Sequence, residues 1–227
     1  MDRIKGLSVF ADGRKGGCYE RILRDHATKV VCCALGPKGN NIEQAATLWL
    51  KNLGITEKSE VVLRDTPELC LELARSIVED GVVAVFWTCA VYVRENLLFF
   101  GNPDVYPFFF QQTMPLDEMQ LATKPANELQ VRVNNGFPPS WRIASHPSPA
   151  PLVEGFGEIV LCNSNAAAAR TCASGGTELC ITTESARQAY GLVKVHSFGS
   201  PDMVFFGGIT QPGKDQLEKI MAGISRP

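Results

Sequence analysis

Lysine and arginine never gather into a run in this sequence of 227 residues; 22 of them are set against 24 acidic residues, for a formal net charge of −2. Electrostatic binding of nucleic acid or of an anionic membrane needs a dense cationic face, so neither partner is expected, and a small ligand is. Long apolar stretches are also missing. The longest, GVVAVFWTCAVYV at residues 81–93, falls well short of the roughly 20 residues that cross a bilayer. The opening MDRIKGLSVFADGRKGG carries charge on both sides of a very short apolar segment, which argues against a secretory leader. Histidine is scarce, at three residues, and the eight cysteines form no CxxC pair and no metal-spaced set with histidine. They lie in apolar runs such as VVCCAL (30–35), as reduced core thiols do. A cytoplasmic protein without metal or cofactor is expected.

What is present is a core. Apolar residues make up 45% of the chain, enough for one large domain or two lobes. From Lys29, β-branched apolar runs alternate with helical patterns: KVVCCAL (29–35), a helix near Glu43 to Leu53, EVVLRD (60–65), a helix near Pro67 to Glu79, and VVAVFW (82–87). Such interleaving predicts βαβ units around a buried parallel sheet. Residues 91–140 are less regular and include the loop VNNGFPPS (133–140). A second alternating series then runs from Trp141 to Phe198, and the strand MVFFGGI (203–209) and a short helix from Lys214 to Met221 follow. The expected division is an extension at 1–27, one lobe of 28–112 plus 198–227, and a second of 113–197.

Open α/β sheets take ligands beyond the carboxyl ends of their strands, where helix N-termini point. Three such ends stand out: Gly36 to Asn41, Ser145 to Pro149, and Asn163 to Asn165. The first lacks both the Walker ending and a third glycine, so Asn40 or Asn41 as a helix cap accounts for it as well as a ligand does. At the second, the hydroxyls of Ser145 and Ser148 and the turn's N–H groups suit a carboxylate, with His146 beside them. At Thr183 to Arg187, Glu184 and Arg187 stand three residues apart, the spacing of a helical ion pair. Arg94 is the best-placed cation for an anion, or an ordinary surface arginine.

The segments LGPKGNNIEQAA (35–46), SHP (145–147), NSNAAAAR (163–170) and ESARQAYGL (184–192) resemble, in order, those of prephenate dehydratase catalytic domains, whose first pattern runs GPxGTxSxxAA. IASHPSP (143–149) and FGSPDM (198–203) bring the likeness nearest to the prephenate decarboxylases of the bacilysin pathway. The resemblance implies two α/β lobes of the type 2 periplasmic-binding-protein kind with a ligand cleft, no regulatory ACT domain, a homodimer, and a small organic acid as substrate. The dehydratases carry Thr-Arg-Phe on the returning strand, where this chain has Met203, Val204 and Phe205; a thioether and an isopropyl group can neither donate a proton nor bind an anion. The family's Thr and Ser are replaced by Asn40 and Ile42. Decarboxylation without aromatisation, in antibiotic biosynthesis, is therefore the expected activity. The alternatives are another small cyclic or CoA-derived acid, as in a tropone-type pathway, and a non-catalytic anion-binding protein. On the first expectation, Arg94 and the Ser145–Ser148 turn bind carboxylate, and Asn40 and Thr88 orient the substrate. Asn163 and Thr183 add polar contacts, and His146 donates a proton or a hydrogen bond. Met203, Val204 and Phe205 surround the departing carboxylate with apolar groups.

Overall fold

The structure is a computed structural model that describes residues 18–92, 94–128 and 140–224; all but the last residue of the loop expected at 133–140 and most of the expected N-terminal extension lie outside them. The chain divides into two units, Met1–Met114 with Met203–Pro227, and Pro115–Asp202.

In the first unit, helix α1 (Cys18–His26) leads into strand β1 (Lys29–Leu35), α2 (Asn41–Leu53), β2 (Ser59–Arg64), α3 (Pro67–Ser76), β3 (Val82–Cys89), α4 (Glu95–Phe100) and β4 (Val105–Pro115). Strand β10 (Asp202–Thr210) and the last helix, α7 (Gln211–Ile224), complete it. The sheet runs β2-β1-β3-β10-β4. Strands β1, β2 and β3 pair in parallel, and β10 lies antiparallel to β3.

Every residue of β3 from Val82 to Thr88 is buried, because helices cover both faces of the sheet. Its alternation sorts the side chains. Ala84 and Phe86 pack with Cys70, Leu71 and Ala74 of α3, while Trp87 meets Trp49 of α2, ring centroids 5.3 Å apart. Each such large apolar side chain contributes roughly 1.5–3 kcal/mol on burial. Strand β10 fits between β3 and β4 only because it carries glycine where the rings press closest. A Cβ on Gly208 would stand 2.7 Å from the Phe86 ring and 2.7 Å from the Tyr106 carbonyl.

The second unit holds β5 (Met119–Thr123), β6 (Arg142–Ser145), β7 (Glu158–Leu161), α5 (Asn165–Ala173), β8 (Leu179–Thr183), α6 (Glu184–Ala189) and β9 (Val193–Gly199). Its sheet order is β7-β6-β8-β5-β9. Strand β6 is parallel to β7 and β8, whereas β5 runs antiparallel to β8 and β9. Leu121, Ile143, Leu179 and Ile181 face one core and Ala122, Ala144, Ala168 and Cys180 the other, so the period of two divides each strand between two packed layers.

The expected parallel βαβ pairs are present, and each sheet is mixed. Each contains a strand, β10 or β5, that enters its sheet in the reverse direction. A strand arriving from the other unit is not bound by the crossover that forces successive βαβ strands to run the same way.

Candidate functional site

Within the first unit, the loop after β1 is folded onto the head of α2. The Asn40 Oδ1 accepts hydrogen bonds from the Ile42 N–H at 2.8 Å and the Glu43 N–H at 3.0 Å. Its Nδ2 donates to the Pro37 carbonyl at 2.8 Å and also to the Leu35 carbonyl. Reciprocally, the Gly39 N–H donates to the Glu43 carboxylate. This is helix capping carried through on both sides. The side chain expected to orient a substrate has spent both of its donors and its acceptor on the loop itself.

At the end of β3 the arrangement is different. Thr88 is fully buried, and its Oγ1 donates to Oε2 of Glu95, in the first turn of α4, at 3.0 Å. The other carboxylate oxygen, Oε1, is buried and has no hydrogen-bond partner among the described residues. Burial pushes the Glu95 carboxyl up to about 7, against the opposing pull of the Thr88 hydrogen bond. The nearby Cys89 thiol is pushed up to about 11, again chiefly by burial. Arg94, next to Glu95, is exposed; its carbonyl accepts from the Leu97 N–H at 2.9 Å, and among the described residues its side chain makes no hydrogen bond or ion pair.

The returning strand comes alongside this corner. Phe205 pairs with Cys89 and Phe206 with Thr88, and the Ala90 N–H donates to the Val204 carbonyl at 3.2 Å. Directly opposed residues of an antiparallel pair share a face. Val204, two residues before Phe206, therefore stands on the same face as Thr88. Val204 is 41% exposed and Met203 half-buried, so both side chains reach the surface of the unit. Phe205 does not. At 1% exposed it is buried, and its alternation places it opposite to Val204 and Phe206.

The second unit carries the other expected residues. Ser145 ends β6, fully buried, with its Oγ donating to the His146 carbonyl at 2.9 Å. The Ser148 N–H donates to Nδ1 of His146 at 3.3 Å. An Nδ1 that accepts leaves the ring proton on Nε2, and burial lowers the pKa of the imidazole, so His146 is neutral at pH 7. It is a hydrogen-bond donor through Nε2 rather than a strong acid. Asn163 is exposed ahead of α5, and Ser164 caps that helix, its Oγ accepting from the Ala167 N–H at 3.0 Å. Thr183 is buried and caps α6 by accepting from the Ala186 N–H at 3.4 Å, a structural use of its hydroxyl.

Glu184 and Arg187 form the expected ion pair at 2.7 Å. Arg187, with help from Gln120 and Gln188, holds the Glu184 carboxyl down at about 2. Gln120, fully buried on β5, donates to Glu118 at 2.6 Å and to Glu184.

Two residues escaped sequence reasoning. Glu95 lies in FWTCAVYVREN (86–96), which follows no family pattern, and a lone glutamate at a helix start reads as an ordinary first-turn acid. Gln120 sits in a strand too short for its period to declare which side is inside. The seven cysteines from Cys32 to Cys180 are free thiols. Burial pushes Cys33 and Cys70 each up to about 12, which makes them inert packing groups.

No family model matches the chain. Among solved structures, the periplasmic VFT2 domain of BvgS from Bordetella pertussis superposes with a TM-score of 0.52 at 15% identity, over 92% of this chain and 98% of that one. A periplasmic transporter gives a TM-score of 0.52 at 12% identity, over 88% and 84%. These likenesses show the fold alone, a two-lobed α/β architecture of the periplasmic-binding-protein kind. The prephenate decarboxylase of Bacillus subtilis strain 168 is 30% identical over 177 residues, covering 74% of this chain and 81% of the relative. That of Bacillus amyloliquefaciens is 30% identical over 180 residues with the same coverage. At 30% identity over 74% of this chain and 81% of the relative, the chain belongs to the prephenate decarboxylase family.

Proposed function

We propose that the protein is a carbon–carbon lyase that releases the ring carboxylate of prephenate as carbon dioxide and leaves the ring non-aromatic, in an antibiotic-forming pathway. When the carboxylate departs, its bonding pair enters the ring. Expulsion of the ring hydroxyl then gives an aromatic product, whereas protonation of a ring carbon preserves the hydroxyl. A decarboxylase of the second kind must withhold acids from that hydroxyl and offer one to carbon. The observation that carries this reading is the pair Met203 and Val204 at the surface of β10, beside the end of β3, with no O–H or N–H in either side chain. Apolar groups there leave a carboxylate poorly solvated while neutral carbon dioxide loses nothing, which favours the departure.

Anion binding is assigned to Arg94 in the first unit. In the second it is assigned to the Ser145–Ser148 turn and the head of α5, where Asn163 is exposed. His146, neutral and with its proton on Nε2, is suited to orient an oxygen atom of the substrate. The test is incubation of the purified protein with prephenate at neutral pH. One carbon dioxide and one non-aromatic hydroxy keto acid per substrate are expected. Phenylpyruvate as the main product, or loss of prephenate no faster than in buffer, overturns the proposal.

A further inference from the structure

We propose that Glu95 is the acid that delivers a proton to the ring carbon once carbon dioxide has left, with Thr88 as the positioning residue that holds its second oxygen; the proposal rests on the decarboxylase reading above. Three features of the first unit converge on this group. Glu95 follows the carboxyl end of β3, the place where open α/β sheets receive ligands. It shares a face of the sheet with Val204, through Thr88 to which it is hydrogen-bonded and through Phe206, whose ring lies 6.1 Å from that of Phe99 on the same helix. Its Oε1 has no partner among the described residues, so turning that oxygen toward a ligand breaks no protein hydrogen bond.

The surroundings keep the proton in place. Besides Thr88, the titratable groups that interact with Glu95 among the described residues are Cys89 and Tyr92; Tyr92 also feels the charge of Arg94 and donates to Glu68 of α3 at 3.2 Å. Along the paired part of β10, Val204, Phe205 and Phe206 bring no titratable group. No cation is among the causes that set the carboxyl's affinity for its proton, which remains bound up to about pH 7.

In the step itself, the bond from ring carbon to carboxylate breaks and carbon dioxide departs. The electron pair left in the ring forms a new C–H bond with the proton of the Glu95 carboxyl. Glu95 becomes a carboxylate and recovers its proton from water, and the ring hydroxyl is retained. Neither oxidant nor reductant is involved.

The experiment measures kcat for carbon dioxide release against pH in the wild type, Glu95→Gln and Thr88→Val. Wild-type kcat is expected to fall as pH rises through about 7, where the acid form disappears. Glu95→Gln is expected to lose at least ~100-fold in kcat with KM little changed. Thr88→Val removes the hydrogen bond that lowers the carboxyl's pKa, so its descending limb is expected at higher pH than that of the wild type. A merely structural Thr88 would leave the limb in place. If the wild type releases carbon dioxide but Glu95→Gln keeps its kcat and its limb, the assignment of Glu95 is overturned and the decarboxylase reading stands. If the wild type releases none, both fall. Should Glu95→Gln fail to fold, the position of the Thr88→Val limb decides: an unmoved limb overturns the assignment.

Discussion

A glutamate that holds its proton to about pH 7 when folded makes the stability of the first unit depend on pH, and Glu95→Gln isolates that dependence. In the unfolded chain the carboxyl loses its proton near 4.5, and in the folded chain only at about 7. Below this window both states are protonated and the contribution is complete; as pH rises through it, only the unfolded state gains from ionising, and stability drains away. The full difference corresponds to about 3 kcal/mol, and because Glu95 keeps some solvent access, about 2 kcal/mol is the expected size. Glutamine has nothing to ionise. The variant should therefore match the wild type near pH 4 and exceed it by about 2 kcal/mol at pH 8. Urea unfolding followed by tryptophan fluorescence reads this out, since Trp49 and Trp87 lie in the unit that contains Glu95. His146 contributes with the opposite sign: its lowered pKa costs stability as pH falls below the ordinary histidine range. That contribution is common to both proteins and cancels in the difference. Two stability curves that run parallel from pH 4 to pH 8, or a variant that is the weaker at alkaline pH, would refute the reasoning.

Asn40→Ala should cost about 2 kcal/mol, from a lost N-cap and the loss of the side-chain donations to the Leu35 and Pro37 carbonyls, while KM for the acid changes less than ~3-fold; a large rise in KM at unchanged melting temperature would return Asn40 to the ligand. Gly208→Ala pushes a methyl against the Phe86 ring and the Tyr106 carbonyl, a clash between a ring and a backbone that cannot both withdraw. A loss of at least ~2 kcal/mol, seen as a lower denaturation midpoint, is expected, and an unaltered midpoint contradicts the packing described. The double substitution Met203→Thr with Val204→Arg restores an acid and a cation beside the end of β3, and phenylpyruvate should appear among the products by chromatography. A product profile identical to that of the wild type means that these side chains do not reach the substrate.

The alternating segments were legible because helices and strands with both faces covered leave strong periodicities: KVVCCAL became β1 and VVAVFW most of β3, within two residues at either end. Asn40 as a cap was legible too, since asparagine before a helix has a local reason to be there. The stretch from Val91 to Thr123 was not. Helix α4 is six residues long, β5 is five, and β5 places Gln120 where a period-two reading wants an apolar residue. Such elements are held by their neighbours rather than by their own pattern. The candidate site suffered likewise. Which of Met203, Val204 and Phe205 is buried depends on the register of β10 against β3, which no local feature announces. Glu95 matters for a desolvation that only the assembled corner produces.

The first unit is interrupted in sequence: its inner strand β10, which lies between β3 and β4, and its last helix are made only after the inserted unit. On a ribosome, β3 thus emerges with its hydrogen-bonding edge bare, and it stays so while the chain grows from Cys89 to Asp202, roughly 110 residues or about 6–22 s at ordinary elongation rates. The inserted unit, continuous in sequence, can fold in that interval, whereas the unit that carries Glu95 must wait for its closing strand. Nascent chains stalled before Met203 should accordingly show a protease-resistant middle and a sticky, chaperone-bound beginning.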